Sequence, residues 1–259
     1  AVLDATMSAG AKIAYLIDEP LAAAIGAKIP IAQAAGHMIV NIGGGSTESA
    51  VISLGGVVVH SSVRVAGNKV DEAIASYVKK KFNLLIGDTT AETIKITIAN
   101  AVVSGGKSSS HQVIPTSPRL QGTSKSSSQN AKPEDFPTSD LKTLKSMEVR
   151  GRDTVTGLPR TVVLDELQVH EAIRSTLLEI VKGVKEVLEQ CPPELASDII
   201  DKGIVMSGGT SLLTNLDKLM LEQTGVPCHV AEDALLCVAR GTGVAMENIE
   251  LYKRSINKK

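Results

Sequence analysis

The chain has 259 residues, 43% of them apolar, and a net charge of −1, which suits one large core or two modest ones. That charge balance argues against an electrostatic grip on nucleic acid, and three tyrosines and two phenylalanines with no tryptophan leave little for base stacking. No apolar run reaches the length of a membrane-spanning helix, no signal peptide is recognisable, and Cys191, Cys228 and Cys237 have no metal-binding spacing.

Residues 1–36 are predicted to form a helix that opens already in mid-pattern, a short strand over Ala14–Ile17, and a small-residue helix over Pro20–Lys28. The Leu16-Ile-Asp-Glu-Pro20 step reads as a strand end, an acidic pair and a proline at the first helical position. Strands are predicted over Met38–Asn41, Glu48–Leu54 and Val57–Val65, with alternation too weak for a sheet open on one face. Between the first two lies Asn41-Ile-Gly-Gly-Gly-Ser-Thr-Glu48, a hairpin tip whose three glycines carry no Cβ. Its backbone amides can converge on an anion, and Ser46 and Thr47 add hydroxyls.

Helices follow over Asn68–Asn83, with Lys79, Lys80 and Lys81 at a solvated C-terminal end, and over Thr90–Val103. Residues 104–146 are rich in Ser, Gly, Lys and Pro and read as a disordered low-complexity insertion. Gly106-Lys-Ser-Ser-Ser110 lacks both the spacing and the preceding strand of a phosphate-binding P-loop. Met147–Arg152 and Arg160–Leu164 read as strands around Thr156-Gly-Leu-Pro159. A long amphipathic helix runs from Asp165 or Glu166 to Gln190, with His170 as a packing residue. A helix over Ser197–Lys202 and a strand over Ile204–Met206 lead into a second glycine turn, Ser207-Gly-Gly-Thr-Ser211. A helix over Leu212–Thr224, a strand over Cys228–Val230, closing helices over Ala234–Tyr252 and a frayed basic tail complete the pattern.

Two glycine turns, each after an apolar strand, suggest one nucleotide gripped between them. The order Asp18-Glu-Pro-Leu-Ala-Ala-Ala-Ile-Gly26, Asn41-Ile-Gly-Gly-Gly-Ser-Thr-Glu48 and Ser207-Gly-Gly209 resembles the actin/Hsp70 ATPase superfamily. Within it the chain is most similar to the MreB family of bacterial actin homologues. Supporting segments include Arg64-Val-Ala-Gly67, Tyr77-Val-Lys-Lys-Lys-Phe-Asn-Leu-Leu-Ile-Gly87, Met147-Glu-Val-Arg-Gly-Arg-Asp153, Val230-Ala-Glu-Asp233 and Gly241-Thr-Gly243. The resemblance spans nearly everything outside 104–146, where the family has a much shorter connection.

The resemblance implies an α/β, actin-like (ribonuclease H-like) ATPase fold, represented mainly by the second domain and the end of the first. On that scheme 1–36 is the remnant of a first domain, 37–103 with 187–245 the nucleotide-binding subdomain, 147–186 a small inserted subdomain, and 246–259 the final helix and tail. It implies ATP and Mg²⁺ as cofactors, with no metal held by protein ligands alone. Gly43, Gly44, Gly45, Ser46 and Thr47 would hold phosphates. Glu92, Thr93, Ile94 and Lys95 would contact ribose and base, although by spacing Glu92 and Lys95 read as a surface ion pair. Gly208, Gly209, Thr210 and Ser211 would form the adenosine loop.

Glu19 falls where the family positions the attacking water, and Asn41 stands where the family has Asp. An amide carries no charge and cannot act as a base, so hydrolysis is expected to be impaired. The family's first phosphate loop is not found in 1–36, so the chain is expected to be an N-terminally truncated piece of a longer protein, with weakened ATP/Mg²⁺ binding and impaired assembly of its own. That protein would assemble into filaments at the cytoplasmic face of the membrane, with the cell-wall elongation machinery as partner and without nucleic acid, and maintain rod shape. The alternatives are an Hsp70-type chaperone ATPase domain and a non-hydrolysing actin-like scaffold.

Overall fold

The structure is a computed structural model that describes residues 1–103 and 144–252, and the backbone of 256–258. The expected insertion therefore lies outside the described residues, except for Leu144–Ser146. The chain opens with α1 (Val2–Ser8), β1 (Tyr15–Ile17) and α2 (Glu19–Gly26). Strands β2 (His37–Ile42), β3 (Thr47–Ser53) and β4 (Gly56–Val63) form an antiparallel meander. Helices α3 (Gly67–Phe82) and α4 (Asp88–Ile98) follow, separated by β5 (Leu84–Leu85). After residue 143 come β6 (Ser146–Asp153), β7 (Pro159–Asp165), α5 (Glu166–Glu189) and α6 (Pro193–Lys202). The chain closes with β8 (Ile204–Ser207), α7 (Leu216–Thr224), β9 (Cys228–Val230), α8 (Cys237–Glu247), α9 (Ile249–Tyr252) and β10 (Ile256–Lys258). Short 3₁₀ turns occupy Gly209–Leu212 and Ala234–Leu236.

The main sheet has the order β4-β3-β2-β8-β9, with β8 parallel to both β2 and β9. Every residue of β2 is buried, as a central strand covered on both faces requires. Ile39, Ala50 and Ile52 face a cluster with Leu21, Ala23 and Ala24 of α2 and Ala245 of α8. Met38, Val40, Ile42 and Val51 face the other way, into a larger core with Val70, Ile74 and Val78 of α3 and Leu177, Ile180 and Val184 of α5. The same core reaches Leu84, Val149 and Leu164 of the antiparallel β5-β6-β7 sheet, so the two sheets share one interior.

Helix α5 starts where the sequence provides a cap. The Asp165 carboxylate accepts from the Gln168 amide at 2.8 Å, and the Gln168 side chain accepts from the Asp165 amide. Its stripe Val169, Ile173, Leu177, Ile180 and Val184 is buried throughout. His170 packs as expected, its Nδ1 3.0 Å from the Asn100 carbonyl oxygen. Burial pushes all three thiols up, Cys228 to about 12, and none is in a disulfide.

Three expectations are corrected. Helix α4 stops at Ile98 because Asn100 and Ala101 turn away to pair with Thr214, the Ala101 amide donating to the Thr214 carbonyl at 2.8 Å. The helix expected over Leu212–Thr224 is broken at the same junction. Asn215 adopts a left-handed φ of 59°, so a 3₁₀ turn ends at Leu212 and α7 starts afresh at Leu216. Finally, Ile256–Lys258 of the expected frayed tail pairs antiparallel with β1. The rest of that tail, 253–255 and 259, lies outside the described residues.

Candidate functional site

The two glycine turns meet at the same end of the central parallel pair. Parallel register sets Asn41 beside Ser207 at the ends of β2 and β8, and each strand then runs directly into its turn. Contact is close: a Cβ on Gly208, whose φ is +85°, would fall 2.3 Å from the Ile42 carbonyl oxygen. The Thr210 hydroxyl donates to the Gly43 carbonyl at 2.7 Å, tying one turn to the other. The Ser207 hydroxyl donates to Asn41 Oδ1 at 2.9 Å beneath them.

The first turn also caps α3. Ala66 offers no side-chain cap, and the Gly67 and Asn68 amides donate instead to the carbonyls of Gly43 and Gly44, at 3.1 and 2.8 Å. The turn thus points carbonyls at the helix N-terminus. Gly43 lines the hollow described below, but its amide closes the turn, donating to the Ser46 carbonyl at 3.0 Å. The amides of Gly44 and Gly45 have no backbone acceptor among the described residues.

Between the turns and α4 lies a hollow of about 510 Å³, within the usual range for a small-molecule site. Gly43, Gly44, Glu92, Lys95, Gly209 and Thr210 line it, as do Gly67, Asn68, Ile96, Leu212, Leu213, Thr214 and Leu235. Ile96, Leu212 and Leu235 present exposed apolar side chains, a wall suited to the face of a flat ring. Lys95 does not pair with Glu92. Its Nζ lies 2.7 Å from Asp71 Oδ2 and donates to the Gly67 carbonyl at 3.4 Å. Burial raises the Asp71 pKa, with Lys95 opposing, and Asp71 Oδ1 is buried without a partner.

Glu19 sits in the first turn of α2, after Asp18 at the N-cap. Its Oε1 accepts from Asn41 Nδ2 at 2.7 Å. Rather than the larger hollow, Glu19 lines a neighbouring one of about 270 Å³ with Asp18, Glu48 and His60. There the Glu48 carboxylate takes both His60 Nε2 and the Ser62 hydroxyl at 2.6 Å.

Several expected contacts are not brought to the hollow. Thr47 is buried and its hydroxyl donates to the Val65 carbonyl at 2.7 Å. Thr93 points away on α4, back-bonded to the Thr89 carbonyl, and lines a separate recess with Thr90, Met147 and Arg150. Ile94 is fully buried, on the core stripe Ala91, Ile94 and Ile98. Ser211 is buried and its hydroxyl closes the second turn onto the Gly208 carbonyl. Gly45, Ser46 and Gly208 belong to the turns without lining the hollow. Sequence reasoning missed Gly67, Asn68, Asp71 and Leu235. The glycine placed directly at the start of a predicted helix was the available signal for Gly67.

The hollow fits a nucleoside phosphate: both glycine turns line it, the Gly44 amide there has no backbone acceptor, and Ile96, Leu212 and Leu235 add apolar surface. Among the described residues no group of three His, Cys, Asp or Glu side chains can hold a metal. Mg²⁺ requires less, because it keeps waters and binds through phosphates and one or two carboxylates.

A family model described as MreB/Mbl protein matches residues 1–129 and 125–254. The chain is 44% identical over 252 residues to the cell shape-determining protein MreB of Escherichia coli (strain K12), across 97% of this chain and 62% of that protein. It is 41% identical over 258 residues to the cell shape-determining protein Mbl of Bacillus subtilis (strain 168), across 99% of this chain and 66% of that protein. The chain therefore spans less than two thirds of these relatives. The crystal structure of MreB5 of Spiroplasma citri bound to ADP superposes with a TM-score of 0.79 at 31% identity, covering 96% of this chain and 64% of that one. The MamK double helical filament matches at a TM-score of 0.61 and 19% identity over 89% of this chain and 59% of that one, a likeness of fold alone. These comparisons support the actin-like reading and not the Hsp70-type alternative.

Proposed function

The chain belongs to the MreB/Mbl family, and from that premise we propose that it is the nucleotide-binding part of an actin-like filament protein that maintains rod cell shape. Residues 37–103 and 187–245 form the nucleotide-binding subdomain, 147–186 a smaller one, and 1–36 the end of a preceding domain. ATP with Mg²⁺ occupies the hollow between the glycine turns. The Gly44 and Gly45 amides hold phosphate, Glu92 and Lys95 face the ribose, and Gly209, Leu212 and Leu235 accept the base. Bound there, ATP supplies the phosphoanhydride bond whose hydrolysis accompanies filament assembly. Filaments form by self-association at the cytoplasmic face of the membrane, with the cell-wall elongation machinery as partner. The observation that carries this reading is the convergence of both glycine turns on one hollow, tied by Thr210 to Gly43.

Glu19 orients the attacking water, and Asn41 cannot take a proton from it. Turnover is slow for that reason. Asn41 also favours a second reading, a filament scaffold that binds ATP and does not turn it over.

The test is titration of the chain with a fluorescent ATP analogue and Mg²⁺, alongside a Gly44→Asp/Gly209→Asp variant. Neither glycine has a left-handed φ, so the variant places two carboxylates in the hollow without backbone strain. Saturable binding, weakened at least about tenfold in the variant by like-charge repulsion, is expected. No saturable binding, or binding the variant keeps, overturns the reading. Phosphate release abolished by Glu19→Ala would exclude the scaffold reading.

A further inference from the structure

The Asn41 side chain is 3% exposed and that of Ser207 is fully buried, at the ends of two adjacent parallel strands. An asparagine in such a place can present either its carbonyl or its amino group to a given neighbour. The two faces have opposite consequences for Glu19, whose Oε1 lies 2.7 Å from Asn41 Nδ2. With Nδ2 toward Glu19, a donor meets a carboxylate oxygen. With the amide reversed, two acceptors face each other at that distance with no proton between them.

The acceptor-only Glu19 carboxylate selects the amino face, and the hydroxyl on the other side holds the amide there by donating to its carbonyl face. Ser207 Oγ is 2.9 Å from Asn41 Oδ1 and donates its single proton there. We propose that Ser207 is a positioning residue: its buried hydroxyl locks the Asn41 amide in the orientation that Glu19 selects, amino group toward the carboxylate, and so holds Glu19 in one orientation in the smaller hollow. The relay runs in one direction, hydroxyl to amide carbonyl and amide amino group to carboxylate. It leaves Glu19 Oε2 free of this relay, available to a water. Asn41 and Ser207 are thereby a matched pair. The amide at 41 offers one acceptor to the hydroxyl and one donor to the carboxylate, which an ionised Asp at 41 could not do. The consequence for catalysis rests on the reading of Glu19 as the residue that orients the attacking water. The relay itself does not.

The test is NMR of the full chain without nucleotide, with asparagine side chains labelled with ¹⁵N and the Asn41 amide assigned by its loss in Asn41→Asp. In the unmodified chain the Asn41 amino protons are expected to exchange slowly, with one shifted downfield by the bond to Glu19. Ser207→Ala is expected to speed that exchange by at least about tenfold, the loss of one buried hydrogen bond. Ser207→Thr, which keeps the hydroxyl, should restore it. Slow exchange retained in Ser207→Ala overturns the proposal. If Ser207→Ala does not fold, the unmodified chain decides, because an Asn41 amide exchanging like an exposed one overturns it equally. Nucleotide titration of the same samples separates the two claims: a protected Asn41 amide in a chain that binds no ATP sinks the functional reading and leaves the relay standing. Where turnover is measurable, Ser207→Ala lowers kcat with KM for ATP unchanged, and Ser207→Thr recovers it. A KM effect alone would mean that Ser207 acts on binding and not through Glu19.

Discussion

His37 opens β2 at the end of the sheet opposite the glycine turns. It is buried, with Nε2 unpartnered. Burial holds its pKa below the ordinary 6.5, Lys202 adds to that effect, and Asp198 opposes it. His229 lines the same recess. The native state therefore prefers neutral imidazole, whereas the unfolded chain protonates normally. This contribution to stability is complete above 6.5 and is lost as pH falls through 6.5 toward the lower folded-state value. The urea midpoint of the chain is expected to drop between about pH 7.5 and about pH 5.5, and to drop less in His37→Gln. Equal drops in both would assign the pH dependence to other groups. Residue chemistry of this kind was only partly legible in the sequence. Glycine runs announce turns because few other residues tolerate them, so both turns could be read directly. Where a side chain points depends on register and helical phase. The Thr47 hydroxyl goes to Val65 because of where β3 meets β4, and Thr93 leaves the hollow because α4 presents Glu92 and Lys95 there instead. Ile94 could have been read correctly, since Ala91, Ile94 and Ile98 already form a helical core stripe.

Elements were legible wherever their signal was local. The apolar stripe Val169, Ile173, Leu177, Ile180 and Val184 marks α5 from sequence alone, and the structure fixes its start at the Asp165 capping box. What the sequence could not show is which helix meets which. The sequence marked α2 as a helix of small residues, but not that α8, more than two hundred positions along, would lie against it. The contact is made backbone to backbone. A Cβ on Gly241 would fall 1.7 Å from the Ala22 carbonyl oxygen, and one on Gly26 1.8 Å from the Cys237 carbonyl oxygen. Gly241→Ala is expected to force the helices apart and cost about 3 kcal/mol, an overpacking effect. Gly243, two residues along the same helix, has nothing within 4 Å of its added Cβ. Gly243→Ala should therefore stabilise by about 0.5–1 kcal/mol through helix propensity. Chemical denaturation of both variants checks the pair, and a loss of stability at both positions would contradict this account of the interface.

At the scale of the whole molecule, α3 joins the cleft to the second sheet. Its N-terminal amides are capped by the carbonyls of Gly43 and Gly44. At its other end the Asn83 carbonyl accepts from the Thr154 amide at 2.8 Å, and the Phe82 carbonyl accepts from the Arg160 guanidinium. Thr154 and Arg160 flank the β6–β7 turn, where Asp153 accepts from the amides of Val155 and Thr156 and pairs with Arg160. Those amides and Arg160 hold its carboxyl below the usual carboxylate range. One helix of 16 residues thus runs from the first glycine turn to the hairpin, with hydrogen bonds at both ends and a buried face of Val70, Ile74 and Val78 between them. A ligand that orders the glycine turn stabilises the carbonyls that cap α3, and local opening of the helix then costs more along its length. Saturating ATP and Mg²⁺ are accordingly expected to slow hydrogen exchange at the Gly67 and Asn68 amides and also at the Thr154 amide, far from the nucleotide. Slowing confined to Gly67 and Asn68 would mean that the helix frays independently of the cleft and that the hairpin does not sense nucleotide through it. Slowing at all three, lost at Thr154 alone when Asn83→Pro disrupts the helix end, would identify α3 as the element through which nucleotide occupancy reaches the β6–β7 hairpin, where Val155 and Leu158 stand exposed.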